Sequence, residues 1–67
     1  MAVVVQSMWR PAATAPFDRH IALSIAQQGE ILLLVFPCRR VADGWIDAET
    51  GKHLCIRPTH WRDWYEN

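Results

Sequence analysis

The chain has no surplus of charge. Seven Lys and Arg are matched by seven Asp and Glu, so the formal net charge is +0 over 67 residues. Proteins built mainly to grip nucleic acid or an anionic membrane carry a basic excess, and this balance weighs against both roles. No apolar run approaches the roughly 20 residues that a membrane-crossing helix needs. The longest is Ile31-Leu32-Leu33-Leu34-Val35-Phe36. Met1-Ala2-Val3-Val4-Val5-Gln6 lacks a basic n-region and is too short in apolar residues for a signal peptide. These features predict a cytoplasmic protein with no membrane partner. Cysteine is scarce: Cys38 and Cys55 are the pair, expected to stay reduced in the cytosol, with a cross-strand disulfide as the lesser reading. There is no internal repeat and no low-complexity tract. The length excludes more than one domain and any (β/α)8 enzyme scaffold.

What the chain does have is apolar and aromatic mass. Hydrophobic residues make up 51%, which excludes a disordered tail. Four Trp, two Phe and one Tyr serve a domain too short to bury a large core by aliphatic residues alone. Two or three of the tryptophans are expected to be mostly buried, with Trp64 and Tyr65 the most exposed aromatics.

Period-two alternation marks residues 20–27: Ile21, Leu23 and Ile25 face one way, His20, Ala22, Ser24 and Ala26 the other. Gln28-Gly29 offers a tight turn. A two-residue loop makes paired residue numbers sum to 57, so that Ile25 faces Leu32, Leu23 faces Leu34 and Ile21 faces Phe36. A three-residue loop shifts the sum to 56 and puts Ile31, Leu33 and Val35 on the core face. In either register the second strand, Glu30 to Cys38, is apolar on both sides and is expected to be covered on both. The Trp9 arm, the C-terminal aromatic segment, barrel closure or a second subunit would supply the cover. The small residues Ala22, Ser24 and Ala26 would let it approach closely.

Asp43-Gly44 is the strongest hairpin signal, and a turn there sets Arg40 opposite Asp47 and Val41 opposite Ile46. Glu49-Thr50-Gly51-Lys52 reads as a turn, and His53-Leu54-Cys55-Ile56 as a short strand ended by Pro58. Thr59 to Trp64 is a last strand or one helical turn. The pattern predicts one mainly β domain, a small antiparallel β-meander or SH3-like half-barrel. Residues 1–18 form an irregular arm, 19–64 the sheet core and 65–67 a tail. Val3-Val4-Val5 is a candidate edge strand. In an α+β alternative residues 7–15 make one helical turn on the sheet.

Trp9-Arg10-Pro11-Ala12-Ala13-Thr14-Ala15-Pro16-Phe17-Asp18, followed by the aliphatic strand, Gly44-Trp45 and Thr59-His60-Trp61, resembles a group of short bacterial and phage-encoded proteins of unknown function. Val35-Phe36-Pro37-Cys38-Arg39-Arg40 is similar to members of a narrower bacterial subgroup. The resemblance spans about residues 9–64. It implies a compact single-domain bacterial protein and carries no activity or site residue. Many phage-type members end in a proline-rich tail, where this chain has Arg62-Asp63-Trp64-Tyr65-Glu66-Asn67.

Chemical motifs are thin. Cys38, His53, Cys55 and His60 are zinc-ligand types, but C-x-x-C and H-x-x-x-H spacings are missing, so no metal site is assigned. Nothing in the spacing pairs Cys38 with His53 or His60 as nucleophile and base. Asp43, Asp47 and Glu49 sit in or beside turns, where acids are ordinary. The three glycines are isolated, so no phosphate loop exists. No catalytic residue and no cofactor is expected. The remaining surface candidates are Leu33, Arg39, Arg40, Arg57, Arg62, Trp64 and Tyr65. They suit a non-catalytic interaction module whose partner is another protein or a second copy. The alternative is weak nucleic-acid binding through Arg39, Arg40, Arg57 and Arg62 beside the tryptophans, since six of the seven basic residues are Arg.

Overall fold

The computed structural model describes residues 9–65. The candidate edge strand Val3-Val4-Val5 lies outside them. The alternating stretch becomes β2 (Ile21–Gln27), the hub of an antiparallel sheet. The other strands are β1 (Arg10–Pro11), β3 (Glu30–Leu33), β4 (Cys38–Val41), β5 (Gly44–Asp47) and β6 (His60–Asp63). The sheet order is β1-β6-β2-β4-β5, with β3 paired to the outer half of β2. One 3-10 turn, Ala12–Thr14, follows β1; it is the helical piece of the described arm. No helix of the described residues is long and apolar enough to cross a membrane.

Gln28-Gly29 forms the two-residue turn, and the numbers sum to 57: Ser24 pairs Leu33, Ile25 pairs Leu32, Gln27 pairs Glu30. Gln28 (φ 51) and Gly29 (φ 83) are both left-handed, as a type I′ turn requires. The Leu34 amide still donates to the Leu23 carbonyl at 3.1 Å, but Cys38 then stands opposite Ile21. Two extra residues are accommodated between these points. Val35 swings out to 84% exposure, and Phe36 leans on the core without pairing Ile21.

The expectation of cover on both sides of Glu30–Cys38 fails in the single chain. The strand ends at Leu33, and Ile31 (66%), Leu32 (52%) and Leu33 (57%) are exposed. The reason lies in β2. Beyond Ser24 it has no β6 neighbour, so β3 hangs on the edge of the sheet, and no described element reaches over it.

The second hairpin turns one residue earlier than expected, so each residue's partner shifts by two. Its turn is Ala42-Asp43, with Val41 opposite Gly44 and Arg40 opposite Trp45 rather than Asp47. Asp43 does not take the positive φ that a type I′ Asp-Gly turn needs. Instead Asp47 caps the next turn: its carboxylate accepts the Glu49 amide at 2.8 Å and its carbonyl the Gly51 amide at 2.7 Å. His53 to Ile56 is not a full strand. His53 bridges Ile46, and Leu54 donates to the Trp45 carbonyl.

Ile21, Leu23, Cys38, Ala15 and Trp61 form the buried core, with Leu34, Phe36, Trp45, Leu54 and Ile56 packed around it. Burying Ile21 and Leu23 contributes about 1.5–3 kcal/mol each. Trp61 is the single fully buried tryptophan among the described residues; Trp9, Trp45 and Trp64 are half-buried and none is exposed. The Trp61 indole N–H donates to Thr14 Oγ1 at 2.9 Å. Thr59 ties the arm to the hub: its carbonyl accepts the Ala12 amide, its amide donates to Ser24, and its Oγ1 accepts the Ala26 amide, each at 2.9 Å.

A left-handed Gln at position 28 is strained by roughly 1 kcal/mol. Gln28→Asn should therefore raise the unfolding free energy by up to about 1 kcal/mol, moving Tm upward by a few degrees. Gly29→Ala, which meets open space but keeps φ +83, should lower it by about 1 kcal/mol. Thermal unfolding of both variants checks the turn assignment.

Candidate interaction surface

The face of β2 away from the core carries only small side chains: Ala22, Ser24 and Ala26. Pairing sets larger residues on either side of this row. Arg62 stands opposite Ala22 and His60 opposite Ser24 on β6. Leu33 stands opposite Ser24 and Ile31 opposite Ala26 on β3. Because Arg10 pairs Trp61, Trp9 lies alongside Arg62, and the Arg62 guanidinium stacks 4.6 Å from the Trp9 ring. The result is a trough with a floor one strand wide and walls two strand spacings apart, about 10 Å.

Two open cavities lie along this trough, of about 310 Å³ and 160 Å³, and Trp9 lines both. The larger also touches Ala22, Leu33, Val35, Trp64 and Tyr65. The smaller runs over Ser24 and Ala26 to Ile31 and His60. Of the six exposed large hydrophobics among the described residues, four line the trough: Ile31, Leu33, Val35 and Tyr65.

The sequence candidates divide accordingly. Leu33, Arg62, Trp64 and Tyr65 come together at the trough. Trp64 is half-buried there rather than exposed. Arg40 does not join them. It points to the core side, with its guanidinium 4.7 Å from the Phe17 ring and 5.4 Å from the Trp45 ring. It donates to the Ala13 and Ala15 carbonyls at 3.2 and 2.7 Å, clamping the arm to β4. Arg39 faces the opposite side of β4, with its Nε buried and unpartnered among the described residues. Arg57 is exposed in the segment before β6. The four arginines therefore do not form one continuous patch. Trp9, Ile31 and Val35 were absent from the surface candidates. Ile31 and Val35 are the period-two neighbours of Leu33, so the strand pattern held the signal; Trp9 reaches the trough only through the β1–β6 pairing.

The metal-type residues stay scattered. No group of three or more His, Cys, Asp or Glu side chains converges among the described residues. Both cysteines are free thiols, Cys38 buried and Cys55 exposed. Burial first, and the Asp47 carboxylate second, push the Cys38 thiol from 9.0 up to about 11. Such a thiol stays protonated and unreactive at neutral pH. His60 Nδ1 lies 2.8 Å from Thr59 Oγ1, beside the trough.

Compared with known proteins, the chain matches no family model, no curated protein and no solved structure.

Arg40→Ala should cost about 1.5–3 kcal/mol, the range for hydrogen bonds from a charged donor, while Arg57→Ala should stay within about 0.5 kcal/mol. Denaturant titration separates the clamp from a surface charge. In native protein at neutral pH, an aromatic disulfide reagent should modify Cys55 promptly and Cys38 at least about a hundredfold more slowly, because Cys38 needs an opening of the core. The Cys38 thiol titrates near 9.0 when unfolded and near 11 when folded. Its contribution to stability is thus whole below about pH 9 and lost as pH rises toward 11. Cys38→Ser should flatten that alkaline loss.

Proposed function

We propose that this chain is a non-catalytic protein-interaction module whose working surface is the trough over Ala22, Ser24 and Ala26. The observation that carries the reading is the exposure of Ile31, Leu33, Val35 and Tyr65 along the trough, Ile31 at the smaller cavity and the other three at the larger. Contiguous apolar surface of this kind marks association sites on soluble proteins. Trp9, Trp64 and Arg62 add the residue types that dominate interface energetics. A reducing, cytosolic setting suits the two free thiols. Kinship with the short bacterial and phage-encoded group belongs to the same proposal and adds no activity.

Nucleic-acid binding draws less support. Arg40 and Arg62 each already stack on a ring of their own chain, and the formal charge is zero. If it occurred, affinity would fall steeply with salt.

A photo-reactive phenylalanine analogue at Val35 tests the proposal in cells that express the protein natively. It should trap a discrete protein adduct, while the same analogue at exposed Lys52, outside the trough, should not. Adducts at both positions alike, none at either, or an adduct to nucleic acid would overturn it.

A further inference from the structure

We infer that the partner contributes an extended segment, added as a new antiparallel strand along the outer edge of β3. The inference rests on the interaction-module reading and states how the partner is held.

The backbone is the first argument. β6 takes one edge of β2, and β3 and β4 share the other: Ser24 pairs both His60 and Leu33, and Ile21 pairs both Asp63 and Cys38. Leu34 donates to Leu23, so by antiparallel alternation Leu32 bonds Ile25 and Glu30 bonds Gln27. The N–H and C=O of Ile31 and of Leu33 therefore point away from β2. In the lane they face, β5 stops at Asp47, with one more bond from the Ala48 amide to the Pro37 carbonyl at 2.9 Å. The chain then turns back through Gly51 to Lys52. Beside β3 no described strand takes up that lane. Its outward groups match an extended backbone.

The placement of apolar side chains is the second. Ile31 (66%) and Leu33 (57%) share the face of Ala26 and Ser24, whereas Leu32 (52%) shares the opposite face with Ile25. A body resting on the trough would cover the first two and leave Leu32 in water. An added strand lies about 4.7–4.9 Å from β3 and sends side chains alternately to both faces, so it shields all three. Exposure on both faces thus points to the edge they share.

The bare edge is the third. Exposed edge strands are ordinarily blunted by a Lys, a Pro, a bulge or a covering loop. β3 reads Glu-Ile-Leu-Leu, and its single charge, Glu30, lies at the turn end. Glu30 also defines the partner's chemistry. In an antiparallel segment, three successive apolar residues stand opposite Leu33, Leu32 and Ile31, and the residue after them stands opposite Glu30. A Lys or Arg there makes a favourable cross-strand pair. Main-chain bonds supply the hold, and alternate side chains the choice of partner.

The test combines the full chain with the capped peptide Thr-Val-Ile-Val-Lys-Thr and follows hydrogen exchange residue by residue by NMR. Saturating peptide should slow the Ile31 and Leu33 amides at least tenfold. In the bound peptide both Val N–H groups face β3 and the Ile N–H faces away. N-methylation of either Val should therefore weaken binding at least tenfold, and N-methylation of the Ile should not. Glu in place of Lys should weaken it about threefold. These changes lie in the peptide, so the protein's own folding is untouched. No binding, binding that leaves the two amides fast, equal weakening by all three N-methyl groups, or a Glu peptide that binds as tightly would overturn the inference. So would slow Ile31 and Leu33 amides in peptide-free protein at a mass of twice 7.7 kDa, which would give the edge to a second copy. The photo-adduct at Val35 separates the two levels. A discrete protein adduct without peptide protection sinks strand addition and keeps the module. Neither adduct nor protection sinks both.

Discussion

One strand has to serve two faces. β2 puts Ile21 and Leu23 wholly out of water on one side and only Ala22, Ser24 and Ala26 on the other. Everything else in the molecule is arranged around that asymmetry. β6 and β4 take the inner half of the strand, where the core is. β3 takes the outer half, where the core has ended. On the hub itself even the side away from the core is covered at Ala22 and Ser24, and the exposed apolar surface lies on and after β3 at Ile31, Leu33 and Val35.

The open side is where function is read. Small residues flanked by taller walls make a depression rather than a flat sheet face. Its aliphatic wall comes from the strand that the core could not accommodate. The exposed Ile31, Leu33 and Val35 form the surface that the proposed partner would cover. The completed side is held by polar ties between distant segments: Thr59 to Ser24 and Ala26, Thr14 to Trp61, Arg40 to Ala13 and Ala15. Several of these residues fall in the Trp9–Asp18 and Thr59-His60-Trp61 motifs. Their work is to close the fold, which explains why those motifs suggest no chemistry.

Much of the sheet was legible because its cause is local. Alternation at residues 20–27 and the Gln28-Gly29 pair depend on neighbours in sequence: the strand emerges as read, and the structure selects the two-residue loop from the two registers that the sequence left open. The Asp43-Gly44 turn was misplaced because its local preference lost to the pairing of Cys38 with Ile21 and of Arg40 with Trp45. Thr59 and Arg40 gave no sign of their roles, since their partners lie 25 to 47 residues away. The two-sided apolar character of Ile31–Phe36 suggested cover on both sides, yet Ile31, Leu32, Leu33 and Val35 are exposed in the single chain. Apolar pattern reports hydrophobicity, and whether another element packs on a strand depends on pairings distant in sequence.

Hydroxyl-radical footprinting of dilute protein, read by mass spectrometry, addresses the central claim most directly. The account predicts rapid oxidation at Leu33, Val35 and Tyr65 and almost none at Ile21 and Leu23. Uniform protection of all five would show that the single chain covers both sides of its hub, and the account would be wrong.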